Sequence, residues 1–338
     1  MNKRKIRVLI VDDSVLFREA LSRGISTDPR IEVVAKAVDA FDARDKIIKH
    51  KPDVMTCDVR MPKMDGVEFI KRLLPQYHLP VIVVSSASEA VLDALGAGAV
   101  EFLAKPDFNS AHETESFIND LIFKIKIAVN ANPNAHRRKD GAVVQNDAPG
   151  TENIIAFGAS TGGTEAIYSI LKSFPSNTPG VVIVQHIPPA FSKMFSERLD
   201  RQTNLNVKEA ETGDYIEKGR VLLAPGDKHM RIKKLGRRYR VECFRAEKVN
   251  GHCPSVDVLF DSVAREAGRQ AVGVILTGMG NDGAKGLLAM RRVGARTIGQ
   301  DEKSSVVYGM PRTAYNIGAV EKQVSLEAIP GTIMAALR

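Results

Sequence analysis

The strongest constraint on this chain is an alternation across its first 130 residues. Short aliphatic runs, Val8 to Val11, Glu32 to Lys36, Val54 to Cys57, Val81 to Val84 and Val100 to Leu103, are separated by longer amphipathic segments. Five such runs with helical stretches between them predict an α/β fold, a doubly wound sheet of five parallel strands in a (βα)5 arrangement. In sheets of this kind the working site lies at the carboxyl ends of the strands. The residues that follow the runs are therefore the ones that matter: Asp12 and Asp13, Asp58, Ser85 and Ser86, and Lys105 with Pro106.

Three carboxylates converging on one pocket repel one another unless a hard cation neutralises them, and oxygen ligands of this type are what magnesium prefers. A lysine and a hydroxyl beside such a site can hold phosphoryl oxygens, and an aspartate between them can accept the group as an acyl phosphate. The set Asp12-Asp13, Asp58 with Met61-Pro62 and Asp65-Gly66, Ser85, and Lys105-Pro106 resembles the receiver domain of two-component response regulators. That resemblance implies that Asp58 is the phosphoacceptor and that Asp13, Asp58 and the Arg60 carbonyl ligate Mg2+. It also implies that Ser85 is the switch hydroxyl and that Lys105 contacts the phosphoryl group. Phe102 departs from the pattern, since many receivers carry a tyrosine or histidine there whose orientation reports activation.

Phe117, Leu121, Ile122, Ile125 and Ala128 recur at helical spacing and predict a last receiver helix over His112 to Val129. The chain then turns polar, with Pro133, a basic run His136 to Lys139, Gly141, Pro149 and Gly150, which reads as a linker. The expected organisation is a receiver at 1–128, a linker at 129–151 and a second domain at 152–338. With 338 residues and 44% hydrophobic content the chain can bury more than one core.

The second domain opens with Ile154 to Phe157, followed by Gly158-Ala159-Ser160-Thr161-Gly162-Gly163 and a helical segment from Thr164 to Lys172. This matches G-x-S-x-G, the turn that holds a serine hydroxyl out at a strand end. A phosphate- or dinucleotide-binding turn, or a plain tight connection, fits the same stretch. Val181 to Val184 is a second buried run and ends in Gln185-His186. Ala271 to Leu276 is a third, and it opens into Thr277-Gly278-Met279-Gly280-Asn281-Asp282-Gly283 before a helix over Ala284 to Arg292. Three strand ends thus offer Ser160, His186 and Asp282, the set that makes a hydroxyl nucleophilic at neutral pH. The order differs from that of α/β-hydrolases. Each residue also has a plainer reading: His186 as a structural histidine, Asp282 as a cap for the helix after it. Ser255 reads as the cap of a helix over Val256 to Ala267, and the spacing of His229, His252 and Cys253 is not that of a zinc site.

These stretches, with Gln185-His186-Ile187-Pro188-Pro189, Ala224 to Met230 and Pro254-Ser255-Val256-Asp257, resemble the CheB family, the receptor-modifying methylesterases of bacterial chemotaxis. The resemblance implies phosphorylation-activated hydrolysis of glutamyl methyl esters on chemoreceptors, with release of methanol, and deamidation of particular receptor glutamines. It places Ser160, His186 and Asp282 on the catalytic positions, with Thr161, the Met279 amide and His252 in support. It implies chemoreceptor cytoplasmic domains as substrate, a CheA-type histidine kinase as phosphodonor, a monomer, and no cofactor for the ester chemistry. An alternative is a related protein or phospho-responsive scaffold acting on another partner.

The remaining features exclude rather than assign. The excess of 48 basic over 40 acidic residues is diffuse and does not argue for nucleic acid, and Lys233-Lys234 with Arg237-Arg238 reads as a solvated hairpin turn. A DNA-binding output domain is excluded by the size and glycine-rich strand ends of the second domain, and a Rossmann oxidoreductase by the missing second glycine of G-x-G-x-x-G. Three cysteines without CxxC spacing fit free thiols in a reducing cytoplasm. The basic start is followed by too short an apolar run for a signal peptide or a membrane span.

Overall fold

The computed structural model describes residues 4–86, 89–106, 111–132 and 153–337, which form two compact units divided between Pro133 and Asn134. Most of the expected linker lies outside the described residues.

The first unit runs β1 (Ile6–Val11), α1 (Val15–Ile25), β2 (Ile31–Ala37), α2 (Ala40–His50), β3 (Val54–Cys57), α3 (Gly66–Leu73), β4 (Val81–Ser85), α4 (Glu89–Gly96), β5 (Glu101–Ala104) and α5 (Ala111–Ala128). All five strands are parallel in the order β2-β1-β3-β4-β5. The runs that predicted β1, β3, β4 and β5 are buried at nearly every position, as a sheet covered on both faces requires, whereas Glu32 to Lys36 on the edge strand β2 are exposed or half-buried. Helix starts follow local chemistry. Ser14 accepts from the Phe17 amide, Asp39 from the Phe41 and Asp42 amides, and Asp65 from the Glu68 amide. The strand order reverses between β1 and β3, which opens a crevice where Asp12, Asp13 and Asp58 emerge.

The second unit contains β6 (Ile154–Ala159), α6 (Gly163–Lys172), β7 (Gly180–Gln185), α7 (Pro189–Gln202), β8 (Asn206–Glu209), β9 (Tyr215–Ile216) and β10 (Arg220–Leu223). It continues with β11 (His229–Leu235), β12 (Arg238–Phe244), α8 (Val256–Glu266), β13 (Ala271–Ile275), α9 (Ala284–Arg292), β14 (Arg296–Gln300), α10 (Met310–Asn316), β15 (Lys322–Val324) and α11 (Ile329–Ala336). Seven strands form a parallel sheet in the order β15-β14-β13-β6-β7-β10-β8. β11, β12 and β9 form a separate antiparallel sheet, with the expected hairpin turn at Gly236. Ile154, Val182, Leu222, Val241, Phe260 and Met310 share one core, so the small sheet is packed onto the large one by burial. From β6 the chain winds outward through β7 and later returns to β13 on the other side. The reversal therefore lies between β6 and β13, and Ser160 and Asp282 follow those two strands.

No helix among the described residues is long and apolar enough to cross a membrane.

Candidate active site

Register brings the serine and the histidine together. Ala159 on β6 is paired with Gln185 on β7, and the His186 amide donates to the Ala159 carbonyl at 3.1 Å. Ser160 and His186 therefore leave neighbouring strands one residue beyond the last pair. The turn is held from below: the Ser160 amide donates to the Thr277 carbonyl at 3.0 Å, and Gln185 Nε2 donates to the Ser160 carbonyl at 2.8 Å. The positive φ of this turn belongs to Gly162, at 77°, and not to Ser160. The serine is not at positive φ, and the bend is taken by the glycine that caps α6. Ser160 is half-buried and accessible.

The histidine and the aspartate are bonded. His186 Nε2 lies 2.9 Å from Asp282 Oδ2, and His186 Nδ1 is buried with no hydrogen-bond partner. Asp282 is 1% exposed and accepts four further hydrogen bonds: from Asn250 Nδ2 at 2.8 Å, Ser255 Oγ at 2.7 Å, and the Val256 and Asp257 amides at 2.7 and 3.3 Å. Burial pushes its carboxyl up, but the bonds from His186, Asn250 and Ser255 outweigh burial and hold it well below the ordinary value. The two amides belong to the first turn of α8, so the carboxylate also meets the positive end of that helix. Asp282 thus caps a helix, but α8 rather than α9 after it. Ser255 stands at the N-cap of α8, yet its hydroxyl donates to Asp282 instead of accepting from the helix.

His252 stacks on His186, with ring centroids 3.7 Å apart and planes within 9°. Thr161 is buried at 5% exposure. Gly278 lies against the serine so closely that a Cβ there would stand 2.6 Å from Ser160 Cβ. The next amide, of Met279, enters no backbone hydrogen bond among the described residues. His229 is occupied on both nitrogens, by the Glu247 carbonyl at 2.9 Å and the Ser255 amide at 3.2 Å, so it braces Ser255 and offers no ring nitrogen to a metal.

In the first unit Asp12, Asp13 and Asp58 each present an oxygen within 4.8 Å of the others. Lys105 Nζ bonds Asp12 Oδ2 at 2.7 Å and also Asp58 Oδ2. Burial pushes the Asp12 carboxyl up further than Lys105 pulls it down. Burial opposes the Lys105 charge too, but the two carboxylates hold the ammonium above its usual range. The Arg60 amide donates to Asp58 Oδ1 at 3.2 Å. Ser85 ends β4 with 1% exposure, and Phe102 is buried within β5.

The CheB methylesterase family matches residues 155–333, and the response regulator receiver family matches residues 8–114. The chain belongs to the CheB methylesterase family. Along 97% of its own length and 97% of the relative's, it is 59% identical to a protein-glutamate methylesterase/protein-glutamine glutaminase 2 from Syntrophomonas wolfei. It is 45% identical to the protein-glutamate methylesterase/protein-glutamine glutaminase of Salmonella typhimurium over 98% of this chain and 97% of that one. The crystal structure of the Thermotoga maritima CheB methylesterase catalytic domain matches with a TM-score of 0.54 and 35% identity, covering 55% of this chain and 99% of that domain.

Within this CheB fold, sequence reasoning missed Thr277, Gln185, His229 and Asn250. Thr277 Oγ1 donates to the Thr161 carbonyl at 2.9 Å and accepts from the Val307 amide at 2.9 Å, which ties the serine turn to the chain after β14. The Asn250-Gly251 pair carried a usable signal, since Asn-Gly favours tight hairpin turns.

Proposed function

We propose that this CheB-family chain hydrolyses glutamyl methyl esters on chemoreceptor cytoplasmic domains, releasing methanol, and deamidates particular receptor glutamines by the same route. The observation that carries the reading is the His186–Asp282 pair with the second ring nitrogen left without a partner on the strand end beside Ser160. With Nε2 committed to Asp282, Nδ1 is the atom that takes the proton as Ser160 Oγ attacks the ester carbonyl. Asp282 fixes the tautomer and stabilises the imidazolium. His186 then returns the proton to the departing methoxide, or to the departing ammonia of a glutamine. Water, deprotonated at the same nitrogen, hydrolyses the acyl-serine. The Met279 amide, supported by Thr161, faces the oxyanion; such a donor typically contributes about 3 kcal/mol. Stacking of His252 holds the His186 ring plane.

The receiver supplies control in this reading. Asp58 accepts a phosphoryl group from a CheA-type histidine kinase, and Ser85 and Lys105 bind its oxygens. Asp13, Asp58 and the Arg60 carbonyl would hold Mg2+, a fit supported by the three clustered carboxylate oxygens. When bound, the cation neutralises the crowded oxygens of phosphoryl donor and acceptor. Phosphorylation raises esterase activity in a cytoplasmic, monomeric enzyme. The test is methanol release from methylated receptor membranes by the intact chain and by Ser160→Ala. Loss of release in the variant is expected, and equal release would remove Ser160 as nucleophile.

A further inference from the structure

Asp282 shares its surroundings with a second buried carboxylate that the chemistry above does not use. Asp257, 6% exposed, stands in the first turn of α8, and its Oδ1 accepts from the Gly286 amide in the first turn of α9 at 2.7 Å. Asp282, just before α9, accepts from the first amides of α8. Each helix start is thus capped by a carboxylate carried at the start of the other. One side chain spans the two acids. Asn250 Nδ2 donates to Asp257 Oδ2 at 2.7 Å and to Asp282 Oδ1 at 2.8 Å, which uses both of its hydrogens. The orientation of this amide is fixed by its neighbours, because a carbonyl turned toward two carboxylates would be repelled.

The backbone delivers Asn250 to that place. Val249 and His252 exchange both main-chain hydrogen bonds at 3.0 Å, and between them Asn250 and Gly251 have φ of 53° and 82°. This is the positive-φ pair that Asn-Gly adopts in a two-residue turn. The same turn sets His252 on the face of His186. One surface turn therefore touches both partners of the His186–Asp282 bond, and its exposed asparagine covers two buried acids.

We propose that Asn250 is a positioning residue for the triad. Its amide ties Asp282 Oδ1 to Asp257, which turns Oδ2 toward His186 and keeps water from competing for it. The proposal rests on the methylesterase reading above.

The test uses the full chain. Asn250→Gly keeps a residue that adopts positive φ freely and removes only the amide. Asn250→Asp also tolerates the turn but places a third carboxylate against the other two. Methanol release from methylated receptor membranes should fall about 10- to 100-fold in kcat for Asn250→Gly, the scale of a misaligned catalytic group, with KM unchanged. Asn250→Asp should lose more at neutral pH and recover toward the glycine variant as the pH is lowered and the new carboxyl takes up a proton. The NMR resonance of the His186 Nε2 proton should move upfield in both variants as its bond to Asp282 loosens. A kcat for Asn250→Gly within about twofold of wild type, beside a dead Ser160→Ala, would overturn the positioning role and leave the methylesterase reading standing. If the wild-type chain releases no methanol, that underlying reading fails. The His186 proton then decides the positioning by itself: an unmoved resonance overturns it and an upfield shift supports it.

Discussion

Two crevices occupy the same topological place in this chain and hold Asp12 and Asp282 in opposite ways. In the receiver, where strand order reverses between β1 and β3, Asp12, Asp13 and Asp58 cluster, one ammonium, Lys105, pairs with Asp12 and Asp58, and burial leaves the Asp12 carboxyl raised. In the second domain, where it reverses between β6 and β13, the carboxylate bonded to the histidine, Asp282, takes five hydrogen bonds and is held low, while Asp257 behind it is raised by burial. Surplus negative charge suits a site that is completed by a cation from outside. A saturated carboxylate suits a site that moves protons with its own groups, because its charge persists while the imidazole beside it changes state.

The sharpest way to break this contrast is to neutralise one acid in each crevice. Asp282→Asn preserves the shape but supports the wrong tautomer, and should lower methanol release by about 10⁴-fold, the loss known for the equivalent change in serine proteases. Near-normal turnover would make the five bonds a structural feature only. Asp58→Asn should leave basal release intact and abolish its response to a small phosphoryl donor with Mg2+. In the wild-type chain that response should be an increase of about 5- to 100-fold, the usual range of coupling between two sites. A fragment from Asn153 onward should not respond, and equal stimulation of fragment and full chain would refute control by the receiver.

Each crevice also keeps one glycine against the residue proposed to react there. A Cβ on Gly66 would meet the Asp58 carbonyl oxygen at 2.2 Å, and one on Gly278 would meet Ser160 Cβ at 2.6 Å. Alanine at either position should cost about 1–3 kcal/mol of stability by overpacking. The functional losses should separate: Gly278→Ala in methanol release, Gly66→Ala in the extent of phosphorylation. Urea unfolding and the two assays, run on both variants, test whether the crevices are independent.

The two crevices also differed in how far sequence could reach them. Four of the five receiver strands, β1, β3, β4 and β5, are aliphatic runs that lead into a residue with chemistry, so the fold and the acid cluster were legible together. The strand-end positions of Ser160, His186 and Asp282 were legible for the same reason. What escaped was the support. β8, β10, β14 and β15 are short or half-polar strands at or near the sheet edges, where burial imposes no clear period. Asn250, Thr277 and Gln185 act through side chain to backbone or carboxylate contacts across large sequence separations, and nothing local marks such a contact. Ser255 was placed correctly on its helix and wrongly bonded, because the competing acceptor, Asp282, comes 27 residues later.

Removing the cation should produce a smaller effect, confined to one side. At a Mg2+ concentration ten times its dissociation constant, binding to the folded receiver alone adds about 1.4 kcal/mol to stability. Chelation should withdraw that from the receiver and leave the fragment from Asn153 unchanged. A shift in the fragment would place a cation site outside the acid cluster.

The smallest effect is in proton linkage, and there the two crevices should differ in sign. The folded-state value of Asp282 lies below the ordinary 3.8. Its stabilisation is therefore complete above that pH and is lost only as the pH falls toward the folded value. The folded-state value of Asp12 lies above 3.8, so the folded receiver takes up a proton before the unfolded chain does. Its stability falls as the pH rises through that interval and recovers on acidification. In chelator, and moving from pH 6 to pH 4, the wild-type receiver should gain stability relative to Asp12→Asn. Over the same range the advantage of wild type over Asp282→Asn in the fragment from Asn153 should hold steady, and it should shrink only below about pH 4. Urea midpoints at three pH values decide it. If the Asp12 difference also stays flat, the receiver cluster is already satisfied by Lys105, and the contrast between an open crevice and a closed one fails on the receiver side.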